Sequence, residues 1–515
     1  MALRRSPALI AVAAIVLAAC GTGIDVTAER AERIVFDPTN AEQPDAGAIG
    51  GGIDDPTQEQ EPPTTTTVPS APRNAPTDPG AIDFGPDKPP KSYDDFLLAV
   101  MTDIELWWTE QYPAIYGEEY RPLEGEVYAA YPGRPDDIPG CGTPTTSYED
   151  VRLYVAFYCG VGDFLVYDDS DDGLLAELAQ EYGSGTIGTV LAHEMGHAIQ
   201  LRTGALDRNY PTILTEQQAD CFAGAWTARA AGGRTTTVTY TDADVRAGLI
   251  AMTKVSDPVG IDQFADGGHG SGFDRVGAFQ VGFTEGPARC AGILDAPLPL
   301  VPNRFTSLDE QNNGGNAPFG YGEDDLLGFL PEDLNLYWSV ELGIADIEPL
   351  RLRVVESGAG PACSDLRGDF SRGAALCASS DEVVINEPAA LDLYRSLGDF
   401  SVGYLLGLAW SEAVQDALGS RLAGEERALL SDCLTGGWVQ TVILVDTGAG
   451  VDLPRPRADG RTATVSAGDL DEAIQTVLMV SDLTADDDVI GNAFEKIAAL
   501  RTGVIDGTDA CLAQL

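Results

Sequence analysis

The sequence predicts an α+β fold, mostly helical with a small β-sheet, present in two tandem copies of which the second is degenerate. Three observations carry that expectation. Short β-rich runs bounded by glycine give way to a series of apolar repeats at helical spacing. The chain's 515 residues exceed one typical domain, and 44% hydrophobic with 22% charged residues are globular proportions. Finally, segments of the first folded half return in the same order in the second.

At the N-terminus, Arg4 and Arg5 precede an apolar stretch, Ala8 to Ala19, too short to span a bilayer as a stable helix. It closes in "LAAC" with Gly21 after Cys20. This resembles a bacterial lipobox, which implies a signal peptide over residues 1–20 and a lipidated Cys20. The expected location is therefore exported and lipid-anchored at the outer face of the cell membrane, in the cell envelope. Residues 21–91 include "EPPTTTTVPSAPRNAPTDPG" (Glu61 to Gly80) and read as a disordered Pro/Thr-rich linker, because such composition cannot bury a core.

The folded chain then divides into residues 92–295, a connecting segment 296–320, and residues 321–515. In the first part, "DDFLLAVMTDIELWW" from Asp94 has helical apolar spacing. "VRLYVAFYC" from Val151 and "DFLVYDD" from Asp163 read as paired strands around Gly160 and Gly162. Helical patterns follow at Gly173–Tyr182, Ile187–Leu201, Leu214–Ala231, Asp242–Ser256 and Phe273–Gly286.

Four segments recur. "DDFLLAVMTDIELWW" matches "DDLLGFLPEDLNLYW" from Asp324, and "IGTVLAHEMGHAIQLRTG" from Ile187 matches "VGYLLGLAWSEAVQDALG" from Val402. "ADCFAGAW" from Ala219 matches "SDCLTGGW" from Ser431, and "FDRVGAFQVGFTEG" from Phe273 matches "FEKIAALRTGVIDG" from Phe494. Shared amphipathic patterning explains one such match but not several collinear ones. Of nine cysteines, the eight beyond Cys20 fall at corresponding places. Each half is expected to close its own pairs, Cys141–Cys159 and Cys221–Cys290, then Cys363–Cys377 and Cys433–Cys511.

The formal net charge of −50 repels phosphate backbones and excludes nucleic acid as a partner. Chemistry concentrates elsewhere, in "HEMGH". On a helix, His193 and His197 stand one turn apart and project from one face, so both imidazoles can meet one ion. Glu194 between them can reach a water on that ion. Glu216 lies nineteen residues after His197 in another helical pattern, with Asp220 four residues beyond it on the same side. This supplies a carboxylate ligand and a second carboxylate able to fix a histidine's tautomer. Two imidazoles and a carboxylate with a position left for water suit Zn(2+), one per chain.

HExxH followed by a glutamate with an aspartate four residues on is the gluzincin arrangement, as in thermolysin-like peptidases. More closely, "CG…FYC…HEMGHAIQ…EQQADCFAGAW…HGSGFDRVGAFQVGF" resembles a bacterial neutral zinc metallopeptidase family, over roughly Tyr93 to Cys290. The resemblance implies a zincin-like fold in which His193, His197 and Glu216 bind zinc. It further implies Glu194 as general base and Asp220 as the group orienting His193. His269, in "DGGHGSGFDR", is the candidate donor to the carbonyl oxygen as it gains charge, with Tyr210 as a weaker candidate. Arg275 and Asp274 are expected only to support that loop.

In the second half the matched positions lose this chemistry. His193 falls on Leu408, Glu194 on Ala409, His197 on Glu412, Glu216 on Ala428 and His269 on Ile490, while Asp220 keeps its counterpart in Asp432. The old site is expected to be packed over with apolar groups, and Asp432 to be a relic or a helix cap. Three roles are open to this half: packing partner in an intramolecular pseudo-dimer, substrate-selecting surface, or inhibitor.

Two functional readings follow. The first is an exported, lipid-anchored zinc metalloendopeptidase that cleaves peptide bonds through a zinc-activated water with Glu194 as general base. Its substrate is a peptide or protein, lying extended along a sheet edge for which "DFLVYDD" is the expected strand. The second is a non-catalytic envelope lipoprotein that uses the duplicated fold as a binding or scaffold module.

Overall fold

Helices carry most of the chain, and among the described residues each half adds one sheet of three or four strands and one two-stranded pair. The computed structural model describes residues 77–515, apart from 136, 153, 236, 306, 343–346, 357–359, 444, 447–451, 454–456, 458–459, 461–464 and 481–488. The expected signal peptide, Cys20 and most of the expected linker lie outside the described residues.

The first half runs α1 (Asp94–Tyr116), β1 (Val127–Ala130), β2 (Ile138–Pro139), β3 (Thr145–Thr146), α2 (Tyr148–Val151), β4 (Ala156–Cys159) and β5 (Phe164–Asp168). It continues with α3 (Leu174–Tyr182), α4 (Gly185–Arg202), α5 (Thr212–Ala231), α6 (Asp242–Lys254), α7 (Gly272–Glu285), α8 (Pro287–Ala291) and α9 (Leu308–Asn313). The second half runs α10 (Leu326–Leu336), β6 (Arg351–Val355), β7 (Leu366–Arg367), β8 (Ala374–Cys377), β9 (Glu382–Asn386), α11 (Glu387–Leu397), α12 (Asp399–Ala417) and α13 (Gly424–Gln440). After the short pair β10 (Val445–Asp446) and β11 (Asp452–Leu453) come α14 (Asp469–Val480), α15 (Val489–Asp506) and α16 (Thr508–Leu512). The chain is thus α+β, with α3 to α7 falling within two residues of their expected ends.

Three expectations need correction. "VRLYVAFYC" is not one strand: a capping box between Ser147 and Asp150 starts α2, and only Ala156–Cys159 extends as β4. "DFLVYDD" is not an edge, because β5 lies between β1, its parallel partner, and β4, its antiparallel one. Its unbroken burial is that of a central strand. The linker also ends earlier than residue 91. Asp83 adds a bridge to the outer side of β1, Ile82 is buried, and Lys88 and Lys91 both pair with the buried Asp169. Those contacts fix residues that proline content alone marks as spacer.

The same devices occur in both halves. In each, an outer strand runs parallel to the second strand of a hairpin, β1 on β5 and β6 on β9. The second sheet adds β7 beyond β8. Trp226 Nε1 donates to the buried Asp103 at 3.0 Å, and Trp438 Nε1 to the buried Asp333 at 2.8 Å. Gln200 Nε2 donates to Thr215 O at 2.6 Å, and Gln415 Nε2 to Arg427 O at 3.0 Å. Close helix packing recurs as well: a Cβ on Gly224 would strike Phe279 O, and one on Gly436 would strike Leu500 O. The four disulfides are those expected, all within halves: Cys141–Cys159, Cys221–Cys290, Cys363–Cys377 and Cys433–Cys511.

The halves meet through α6 and α7 of the first and α14 and α15 of the second. Asp471 accepts Gly272 N and Phe273 N at 2.9 and 2.7 Å, which satisfies the open N-terminus of α7. Arg501 stacks on the Phe273 ring and donates to Phe273 O, and Gln280 Nε2 donates to Phe494 O at 2.8 Å. Among the described residues no helix is long and apolar enough to cross a membrane.

Candidate metal centre

Helix α4 buries nearly its whole length, and α5 packs closely along it. Gly196 permits that approach, since a Cβ there would lie 2.8 Å from Ala219 Cα. The crossing brings Glu216 and Asp220 of α5 to the histidines of α4. His193, His197 and Glu216 each offer a ligand atom, and these atoms lie within 4.8 Å of one another. His193 Nε2 and His197 Nε2 are 3.1 Å apart. Glu216 Oε2 is 3.2 Å from the first nitrogen, and Oε1 is 3.4 Å from the second. Ligand atoms around a tetrahedral zinc-sized ion are separated by about 3.3 Å.

Hydrogen bonding on the far side of each ring fixes which nitrogen is bare. His193 Nδ1 lies 2.7 Å from Asp220 Oδ1, a carboxylate that can only accept, so the proton sits on Nδ1 and Nε2 carries a lone pair. His197 Nδ1 lies 2.9 Å from Gln200 Oε1. The Gln200 amide is itself oriented, because its Nε2 donates to Thr215 O. His197 therefore also donates through Nδ1 and presents a bare Nε2. Two lone pairs facing each other at 3.1 Å, beside a carboxylate, repel unless a cation or a proton lies among them. Among the described residues Glu216 Oε2 is buried without a hydrogen-bond partner, another group that an ion would satisfy. The residues thus fit a divalent metal ion.

Charge around the cluster is balanced by burial and by Arg275. Burial drives the His193 imidazolium down, but Asp220 and then Glu216 outweigh it and pull it up to about 10, so a proton on Nε2 takes the place among the ligand atoms that a cation would otherwise fill. Burial raises the Asp220 carboxyl, and Arg275 and His193 outweigh it, leaving the group below its ordinary value. Arg275 holds Asp220 with both ends of its fork, Nη2 to Oδ1 at 2.7 Å and Nε to Oδ2 at 3.0 Å. Arg275 is therefore no mere loop support, since it anchors the carboxylate that orients His193. Asp274 does serve its surroundings: it accepts Val301 N from the connecting segment.

Glu194 is buried in α4 next to His193, and among the described residues its carboxylate has no hydrogen-bond or ion-pair partner. His269 enters from the loop before α7, where Asp257 accepts its backbone N–H at 2.7 Å and its Nδ1 at 3.3 Å. Burial works against its imidazolium, whereas Asp257 and the field of Glu216 raise its pKa, so His269 stands within electrostatic reach of the ligands. The Tyr210 hydroxyl accepts a hydrogen bond from the exposed Arg208 at 3.3 Å.

At the corresponding place in the second half the packing is not purely apolar. Glu412 pairs with Arg427 at 2.6 Å and accepts Ser431 Oγ at 2.9 Å. Leu408 and Ala409 pack in the core beside this pair. Asp432 neither caps a helix nor stands idle, since it is buried within α13 and accepts the Tyr404 hydroxyl.

Proteins similar to this chain occur in mycobacteria. Uncharacterized proteins of Mycobacterium tuberculosis and Mycobacterium bovis are each 33% identical to it over 213 residues, covering 37% of this chain and 67% of the relative. The chain belongs to the family of these mycobacterial proteins. No family profile and no solved structure matches it.

Proposed function

We propose that this member of the mycobacterial family is an exported zinc metalloendopeptidase, tethered to the outer face of the cell membrane through a lipidated Cys20. In this reading it consists of a catalytic zincin-like domain and a degenerate copy. Duplication accounts for the paired Trp–Asp and Gln–carbonyl bonds, the matched disulfides and the repeated strand order. The observation that carries the catalytic reading is the pair of Nε2 atoms 3.1 Å apart beside the Glu216 carboxylate, with the buried Glu194 next to them.

Zinc held there would supply a Lewis acid that polarises a peptide carbonyl and acidifies water. The chain's own residues supply the rest. Asp220 and Gln200 keep the ligand rings in register through Nδ1. Glu194 takes the proton from the attacking water and delivers it to the leaving amine. His269 donates to the carbonyl oxygen as that oxygen gains charge. An extended peptide would pair with β4, which among the described residues forms an edge of its sheet and packs on α4.

A purely structural or scaffolding metal site leaves the buried, unpartnered Glu194 without a role. The test compares protein termini generated by wild type and by Glu194→Gln on envelope proteins and a peptide library. Wild type is expected to produce new termini, and Glu194→Gln to bind zinc equally and produce none. Equal cleavage by both, or none by zinc-loaded wild type, overturns the catalytic reading.

A further inference from the structure

The second half carries its own cluster of oxygen ligands, remote from the histidines. Asp399 opens α12, and Asp469 and Glu472 lie in the first turn of α14. Each offers a carboxylate oxygen, and the three oxygens lie within 4.8 Å of one another. All three residues are buried, at 6%, 4% and 9% exposure.

Holding nearby backbone amides is the ordinary reason for acids at such positions, and it accounts for one oxygen of each. Asp399 Oδ2 accepts Ala317 N at 2.7 Å, Asp469 Oδ2 accepts Ser466 N at 2.8 Å, and Glu472 Oε2 accepts Phe400 N at 2.8 Å. It does not account for the others. Among the described residues Asp399 Oδ1 and Asp469 Oδ1 are buried with no hydrogen-bond partner, and buried polar atoms are rarely left so. No lysine or arginine is among the groups acting most strongly on any of the three.

We infer that Asp399, Asp469 and Glu472 bind one calcium ion at the junction of α12 and α14. Oxygen-only ligands suit a hard cation and not zinc, which favours nitrogen and sulfur. Calcium at 2.3–2.6 Å from its ligands, roughly the range for carboxylates, spans this spacing, and it gives up water more readily than magnesium in a buried site. Without an ion, burial and then the charge of Asp399 push Glu472 up to about 8, and burial pushes Asp399 up to about 6, so the cluster holds protons instead. Asp471 lies between Asp469 and Glu472 and caps α7 of the first half. The ion therefore stiffens the turn through which the degenerate copy holds the other.

Calcium titration of the full chain, calorimetrically and by thermal melting at constant measured zinc content, tests this. The inference is independent of the catalytic reading. One calcium per chain is expected, with Kd no weaker than about 1 mM, as in extracellular modules. The melting midpoint should rise by about 3 °C at ten times Kd. The Asp469→Asn/Glu472→Gln double variant should lose the binding, keep its zinc and stay folded in calcium-free buffer, because the amides retain the oxygens that accept Ser466 N and Phe400 N. Wild type showing neither heat nor a shift in 10-fold higher calcium than that limit overturns the site, as does undiminished binding by the folded double variant.

Discussion

Replacing Asp471 with alanine removes both side-chain acceptors from the first turn of α7, at Gly272 N and Phe273 N, 2.9 and 2.7 Å away. Each amide is then buried and unpaired, at a cost of about 1–3 kcal/mol apiece. The carboxyl is itself pushed up to about 6 by burial, which weakens its charge assistance, so the lower half of that range applies. A total near 3 kcal/mol follows, which corresponds to about a hundredfold increase in local opening. Hydrogen exchange at pH 7 reads this directly. Amides of residues 272–276 should exchange about a hundredfold faster in Asp471→Ala, while those of α1 are unchanged. Asp471→Asn, which keeps one acceptor oxygen, should fall between. Arg275 lies in the same turn, so zinc should also dissociate faster. Exchange at 272–276 within about threefold of wild type would refute the claim that the second half secures α7.

Gln200→Leu removes the acceptor for His197 Nδ1 and the donor to Thr215 O, so zinc affinity should fall about 10- to 100-fold in chelator competition. An unchanged affinity would remove Gln200 from the centre. Burial pushes the Asp432 carboxyl up to about 7, against the pull of Lys496 and Tyr404. The unfolded group titrates near about 3.9, so between these values the folded chain retains a proton that the unfolded chain has lost. The resulting stability is complete below about pH 4 and disappears as pH rises through 7. Asp432→Asn should therefore flatten the decline in melting temperature from pH 5 to 7.5, and parallel curves would contradict the assignment.

The candidate ligand set was legible because helical geometry converts sequence spacing into a shared face. His193 and His197 need only one turn, and Glu216 with Asp220 only another. Gln200 escaped notice although it lies three residues past His197, because its second partner is a backbone carbonyl, Thr215 O, which has no sequence signature. Arg275 depended on the crossing of α7 over α5, a tertiary fact. The strand order was partly available: "FLVYD" is apolar without alternation, the mark of a strand covered on both faces. Likewise the S-x-x-D of Ser147 and Asp150 signals a helix start inside a run whose β-branched and aromatic residues argue for a strand. Lys88 and Lys91 sit in a proline-rich stretch, and only their buried partner Asp169 draws that stretch onto the fold. Asp471 could not have been read as a support for the first half, because the contact spans 199 positions to Gly272.

The central claim is a single metal centre confined to the first half. Zinc content of the purified full chain, measured for wild type and His193→Ala at known protein concentration, tests it most directly. One zinc per wild-type chain and none in the folded variant is the expected result. Two zincs per chain, or one retained by His193→Ala, would contradict it.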